Sequence, residues 1–264
     1  MKIFISADIE GTNGITHWDE TDRSKSEYHP FAKRMTLEVA AVCEGINKFG
    51  ADEIMVKDAH AGGRNIDHDL LPENVWLNRA FSGHPHSMMD LIDNTYSASM
   101  LVGYHSPAYS GGSPLAHTMS GIYSKVTING INTSEFLLAY YTSLYHGVPM
   151  VLVAGDEMLM GIVKETDPDI ITVETMRGRG ASVTSMHPLK TRRLLTESAE
   201  KAMQNISKLK AKKLPETFEI EIRYRDHQRA FSASNYPGAI KKDAQTVAFT
   251  AKDYIEILRF MKFN

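Results

Sequence analysis

Met1-Lys2-Ile3-Phe4-Ile5-Ser6-Ala7-Asp8-Ile9-Glu10-Gly11 opens the chain with an apolar run that ends on two carboxylates. Ile3-Phe4-Ile5 is continuous and does not alternate with polar residues, which marks a strand covered on both faces. Asp8 and Glu10 are two apart, so on an extended strand end they face the same way. Two carboxylates crowded together repel unless a cation lies between them. Gly11 and Gly14 then let the chain turn away tightly.

The same arrangement recurs downstream. Ile54-Met55-Val56, Met100-Leu101-Val102 and the run from Val148 to Ala154 are further continuous apolar strands. Asp58 and His60 follow the second strand, His105 the third, and Asp156 and Glu157 the fourth. Helical spacing of apolar residues fills the gaps. One helix runs from Phe31 to Phe49 and stops at Gly50, and another runs from Phe136 to Tyr145 and closes at Gly147. Alternating strands and helices predict an α/β fold, with a mainly parallel sheet flanked by helices. In such a sheet ligands bind outside the carboxyl ends of the strands. A lone Asp after a strand is usually a turn residue or a helix cap. Four strands that deliver carboxylates and imidazoles to one edge point instead to a site.

The remainder of the chain has a different pattern. Val126-Thr127-Ile128-Asn129-Gly130-Ile131 carries the Asn-Gly signal of a tight hairpin, with Asn132, Thr133 or Ser134 as the cap of the following helix. Leu189 to Leu209 reads as an amphipathic helix, and Phe218 to Tyr224 alternates as a half-buried strand. Thr246 to Thr250 is a second strand and Asp253 to Met261 a final helix. The expected organisation is a catalytic α/β domain over residues 1–189 and a smaller C-terminal α+β portion over 190–264.

Composition narrows the classes. In 264 residues, 42% are hydrophobic and 23% charged, as in a globular protein. A net charge of -3 provides no basic field for nucleic acid. Cys43 stands alone, which excludes an internal disulfide and a cysteine-based zinc cluster. Apolar runs fall short of the ~18 residues of a membrane span. The opening run is too short before Asp8 for a signal peptide, so a cytoplasmic location is expected. Arg177-Gly178-Arg179-Gly180 lacks the Lys and Ser/Thr of a Walker loop, and no Gly-x-Gly-x-x-Gly or Gly-x-Ser-x-Gly is present. The carboxylate and imidazole set, without cysteine, suits zinc, manganese or cobalt. Glu135 begins a helix, where the dipole favours a carboxylate whether or not it holds a metal. His117 lies in a loop after Gly111-Gly112-Ser113-Pro114.

Five short motifs in order complete the reading. Asp8-Ile9-Glu10-Gly11 with Gly14, Asp58-Ala59-His60, Gly103-Tyr104-His105, Ala116-His117-Thr118-Met119 and Val153-Ala154-Gly155-Asp156 resemble the zinc-dependent D-aminopeptidase family of the DppA type. The Asn129-Gly130 hairpin and the following Glu135 match in order and approximate spacing. The resemblance covers most of residues 1–200 and continues more loosely to the C-terminus. It implies two zinc ions per subunit, with manganese or cobalt as other possible occupants. Asp8 would bridge both ions, Glu10 and His60 would complete one, and His105 and Glu135 the other. Three protein ligands per metal leave an open position on each, as catalytic zinc requires.

His117 matches the family's catalytic histidine, described there as the nucleophile. Physical chemistry favours proton transfer. Zinc-bound water reaches a pKa near ~7, and an imidazole near ~6.5 is matched to pass its proton to a leaving amine. The resemblance further implies a ring-like homo-oligomer that takes short peptides, with no nucleic-acid or membrane partner. The sequence departs from the family at Ala116 and Thr118, where serines are usual, and in the bulkier Phe136-Leu137-Leu138. Both departures lie near the expected place of the substrate side chain. The expected function is a dinuclear zinc aminopeptidase that removes the N-terminal residue, a D-amino acid by the same implication, from short peptides or amino-acid amides. The alternative is another two-metal hydrolase, an amidase or phosphoesterase. A phosphoesterase would aim Arg or Lys at the phosphate, and among the five motifs only Lys57 lies adjacent.

Overall fold

The computed structural model describes residues 1–264, apart from the side chain of Lys208. In chain order its elements are β1 (Lys2–Ala7), α1 (Tyr28–Asn47), β2 (Glu53–Asp58), β3 (Val75–Asn78), β4 (Ala98–Tyr104), β5 (Tyr123–Ile128), β6 (Ile131–Asn132) and α2 (Glu135–Tyr145). There follow β7 (Met150–Asp156), α3 (Glu157–Thr166), β8 (Ile171–Arg179), β9 (Ser182–Ser185), α4 (Pro188–Asn205), β10 (Phe218–Tyr224), α5 (His227–Ala233), β11 (Ile240–Lys241), β12 (Thr246–Ala251) and α6 (Tyr254–Lys262).

The apolar runs become the centre of a seven-stranded sheet, ordered β3-β2-β1-β4-β7-β8-β9. Its neighbours are parallel except β9, which returns as a hairpin from β8. Every residue of β4 and β7 is buried, as continuous apolar strands between two layers require. From β1 the chain steps outward to β2 and β3, then crosses to β4 on the other side of β1. The β1/β4 boundary is therefore the topological switch point, where open α/β sheets bind ligands.

Each face of the sheet has its own core. On one, Ile3, Ile5, Val56 and Met100 pack with Met35, Val39 and Val42 of α1 and with Leu195 and Ala199 of α4. On the other, Phe4, Leu101 and Val153 meet α2, α6 and the inner residues of a smaller sheet. That smaller sheet is antiparallel, in the order β11-β12-β10-β5-β6. Asn129 and Gly130 take positive φ of 51° and 78°, the two left-handed residues of the turn that joins β5 to β6.

The α/β class and the parallel sheet agree with the sequence. Sheet membership does not follow the boundary expected at 189/190. The smaller sheet draws β5 and β6 from mid-chain, and α4 lies against α1 over the parallel sheet. The Arg177-Gly178-Arg179-Gly180 stretch is the β8–β9 hairpin. No helix among the described residues is long and apolar enough to cross a membrane.

Candidate metal centre

Asp8 and Glu10 leave β1 beside β4, where Asp8 N–H donates to the Val102 carbonyl and Gly11 N–H to the Gly103 carbonyl, both at 2.8 Å. This approach needs a glycine, because a Cβ on Gly11 would fall 1.8 Å from the Tyr104 carbonyl oxygen. His60 follows β2 and His105 follows β4. Glu135 is the first residue of α2, directly after its cap Ser134, whose side chain accepts from Leu137 N–H. His117 lies on the loop between β4 and β5.

The fold brings all six together. His60 Nδ1 lies 3.0 Å from Glu10 Oε2 and 3.4 Å from Asp8 Oδ1. His105 Nε2 lies 3.6 Å from Asp8 Oδ2 and 3.7 Å from Glu135 Oε1. His117 Nε2 is 3.8 Å from the same Glu135 oxygen. Asp8, Glu10 and His60 offer ligand atoms all within 4.8 Å of one another, and so do Glu10, His105 and His117. Asp8, Glu10, His60, His105 and Glu135 are buried, and His117 is partly exposed.

Each imidazole has its other nitrogen against a main-chain carbonyl: His60 Nε2 at 3.0 Å from Thr21, His105 Nδ1 at 2.9 Å from Ser106, and His117 Nδ1 at 2.8 Å from Leu115. A carbonyl only accepts, so these nitrogens carry the hydrogens. The bare nitrogens then face carboxylate oxygens, lone pair to lone pair, which holds only with a proton or a metal between. Metal-bound histidines likewise donate their other ring N–H to a carbonyl or carboxylate behind them. His105 Nε2 and Glu135 Oε2 are buried with no hydrogen-bond partner. The donor set is therefore complementary to a divalent cation of the zinc type.

Electrostatics say the same. Burial, and then the charge of Glu10, push the Asp8 pKa up to about 7. Burial would lower His105, but Glu135, Glu10 and Asp8 outweigh it and hold its pKa at about 9. His60 is raised well above its ordinary value against its own desolvation, chiefly by Glu10. Burial would raise Glu10, yet His60 holds it well below the carboxylate range. Protonated imidazoles thus act as the counter-charge that a metal supplies more strongly.

Two other strand-end acids brace the site. Asp58 accepts from Asn65 N–H, Asn65 Nδ2 and Ile66 N–H, and Asn65 Nδ2 also donates to the His60 carbonyl. Asp156 accepts from Ser106 N–H at 2.6 Å and from the Ser106 hydroxyl, and it caps α3 through Leu159 N–H. Lys57 is turned away, its amine on the Ala80 carbonyl and over the Phe81 ring. Two participants have no role assigned from the sequence, Met119 although it lies in the Ala116-His117-Thr118-Met119 motif and Trp18 in none. Met119 N–H donates to Glu135 Oε1, and Trp18 sets its ring edge on His117 with centroids 5.2 Å apart. Met119 and Ser87 hold positive φ of 59° and 50°, a strained backbone for side-chain-bearing residues. The site opens into a cavity of about 500 Å³ that Trp18, His117, Met119 and Glu135 help to line.

The chain is similar to known proteins over nearly its whole length. The sequence pattern of a peptidase family described as D-aminopeptidase matches residues 1–263. A D-aminopeptidase of Bacillus subtilis (strain 168) is 31% identical over 266 residues, spanning 99% of this chain and 95% of that protein. The solved structure of the Zn-dependent D-aminopeptidase DppA from Bacillus subtilis, described as a self-compartmentalizing protease, aligns with a TM-score of 0.92. Its identity is 29%, covering 99% of this chain and 95% of that one. A family pattern over nearly the whole length, joined to full-length sequence and fold similarity, shows that the chain belongs to the D-aminopeptidase family of peptide hydrolases.

Proposed function

We propose that this chain is a dinuclear zinc aminopeptidase that removes the N-terminal residue, of D configuration, from short peptides or amino-acid amides. The observation that carries the reading is the set of bare nitrogens on His60 and His105, each tied behind to a carbonyl and facing buried carboxylates. Asp8, Glu10 and His60 would hold one zinc. Asp8, His105 and Glu135 would hold the other, with Asp8 shared. When bound, the pair supplies an activated water near neutral pH and polarises the scissile carbonyl.

The chain's own groups do the rest. Ser106 and Thr21 carbonyls fix the two ligand imidazoles in one tautomer. The Leu115 carbonyl fixes His117 with Nε2 toward the site. There His117 would take the proton that the attacking water gives up and deliver it to the leaving amine, a general acid–base role. Trp18 packs against that ring at an interplanar angle of 70°.

The structural neighbour is described as a self-compartmentalizing protease, and we infer that this chain also self-associates into a homo-oligomer that admits short peptides. Light scattering reports the assembly; a monomer at micromolar concentration overturns that part. The activity is tested on paired D- and L-amino-acid amides and dipeptides, with zinc content measured. D-selective hydrolysis that follows zinc content up to two ions per chain supports the reading. L-selective hydrolysis overturns the configuration. Hydrolysis unaffected by complete zinc removal overturns the metal assignment.

A further inference from the structure

A second cavity, of about 220 Å³, adjoins the metal centre. Ser87, Met88, Met119, Ser120, Glu135 and Lys262 line both it and the metal cavity, so the two spaces meet along these residues. Further in, the wall is largely apolar, with Met89, Leu138, Ala139, Leu258 and Met261 contributed by three separate parts of the chain. Methionines in such numbers give a deformable surface that adapts to unbranched and aromatic groups alike. Of the charged groups, Glu135 and Lys262 both stand where the cavities meet. His86 in the wall is kept neutral, burial pushing its pKa down to about 4.

An aminopeptidase brings the free N-terminus and the first carbonyl to its metal centre. The first side chain leaves from the carbon between them and must enter space directly beside the metals. We propose that this cavity receives the side chain of the substrate's N-terminal residue and selects methionine, leucine or phenylalanine over alanine. A methyl group leaves most of the space unfilled and the methionine surfaces uncovered. A charged side chain finds no counter-charge inside, because Glu135 and Lys262 both stand at the entrance, and must give up its water to enter an apolar wall. The proposal rests on the aminopeptidase reading and names the substrate class within it.

The test uses zinc-loaded full-length protein with the amides of methionine, alanine and lysine, each as D and L forms. In the stereoisomer that is hydrolysed, methionine amide exceeds alanine amide in kcat/KM by at least about ten-fold, the scale of filling an apolar pocket. Lysine amide falls below methionine amide. Ala139→Leu narrows the cavity from α2, and Met261→Phe narrows it from α6, where Met261 is half-buried and tolerates change better. Each variant lowers the methionine-to-alanine ratio about ten-fold or more at unchanged zinc content. A parent ratio at or below one, or a ratio unmoved by both variants, overturns the assignment of the cavity. Hydrolysis of none of the amides overturns the aminopeptidase reading beneath it instead.

Discussion

His105 and His117 lie ring on ring, with centroids 4.4 Å apart and planes inclined by 9°, and both point an Nε2 toward Glu135 Oε1. They differ in setting. His105 is fully buried at a strand end, while His117 rides a loop and is partly exposed to the cavity. A metal ligand needs the first setting and a proton carrier the second. His117→Ala is expected to lower kcat ~100- to 10,000-fold, the span of general acid–base help, with zinc content unchanged. His105→Ala is expected to lose zinc together with activity. Elemental analysis beside kinetics separates the two, and zinc loss in His117→Ala would reassign it as a ligand.

Asp156 acts on the site at one remove. It holds Ser106 by two hydrogen bonds, and the Ser106 carbonyl takes the His105 Nδ1 hydrogen. Asp156→Ala removes those bonds and the cap of α3, an expected loss of about 1–3 kcal/mol in unfolding free energy. Zinc affinity is expected to fall ~10- to 100-fold, the usual cost of losing a group that orients a metal-binding histidine. A zinc titration that matches the parent would show that Asp156 serves the helix alone.

Asp8, Glu10, His60 and His105 are legible in the sequence because each follows a continuous apolar run, and strand ends at the switch point converge. Asp58 and Asp156 follow the same runs and serve as braces, since a ligand and a brace share one position and differ only in where the carboxylate points. Glu135 and His117 depend on resemblance, because a helix start and a loop carry no convergence rule. The smaller sheet is hidden from local patterns: Ile128 pairs with Ile220 across about ninety residues of chain. The strand β3 does hold a short apolar run, Val75-Trp76-Leu77, but it lies at the sheet edge with Trp76 exposed, and no α-helix before it marks a crossover from β2.

Removing the metal should destabilise the fold. The buried carboxylates then keep only the imidazoles as counter-charge. Zinc at a hundred times its Kd would add about 2.7 kcal/mol by mass action, roughly 5–10 °C in Tm for a chain of this size. Calorimetry with chelator, and after zinc is restored, measures it. Asp8→Ala is expected to melt at one temperature with or without zinc, because it removes the ligand proposed to be shared. A zinc-dependent Tm in that variant would displace Asp8 from the centre of the site.

Glu38 contributes a pH dependence of the fold away from the metal site. It is buried in α1, where Oε1 accepts Asn13 N–H at 3.1 Å and Oε2 has no partner. Burial raises its pKa from 4.5 to about 8, outweighing Asn13 and the charges of Arg34 and Arg192. The folded chain therefore holds a proton that the unfolded chain releases near pH 4.5. That contribution is fully present below the unfolded pKa, declines as pH rises above it, and is gone once pH passes through about 8. Glu38→Gln keeps an acceptor for Asn13 and does not titrate. Relative to the parent, it is expected to gain stability from about pH 5 to about pH 8 and then level off, reaching roughly 4–5 kcal/mol at ~1.4 kcal/mol per pKa unit. Denaturant unfolding of both proteins across that range gives the difference directly, and parallel stability curves would mean that Glu38 stays ionised in the fold.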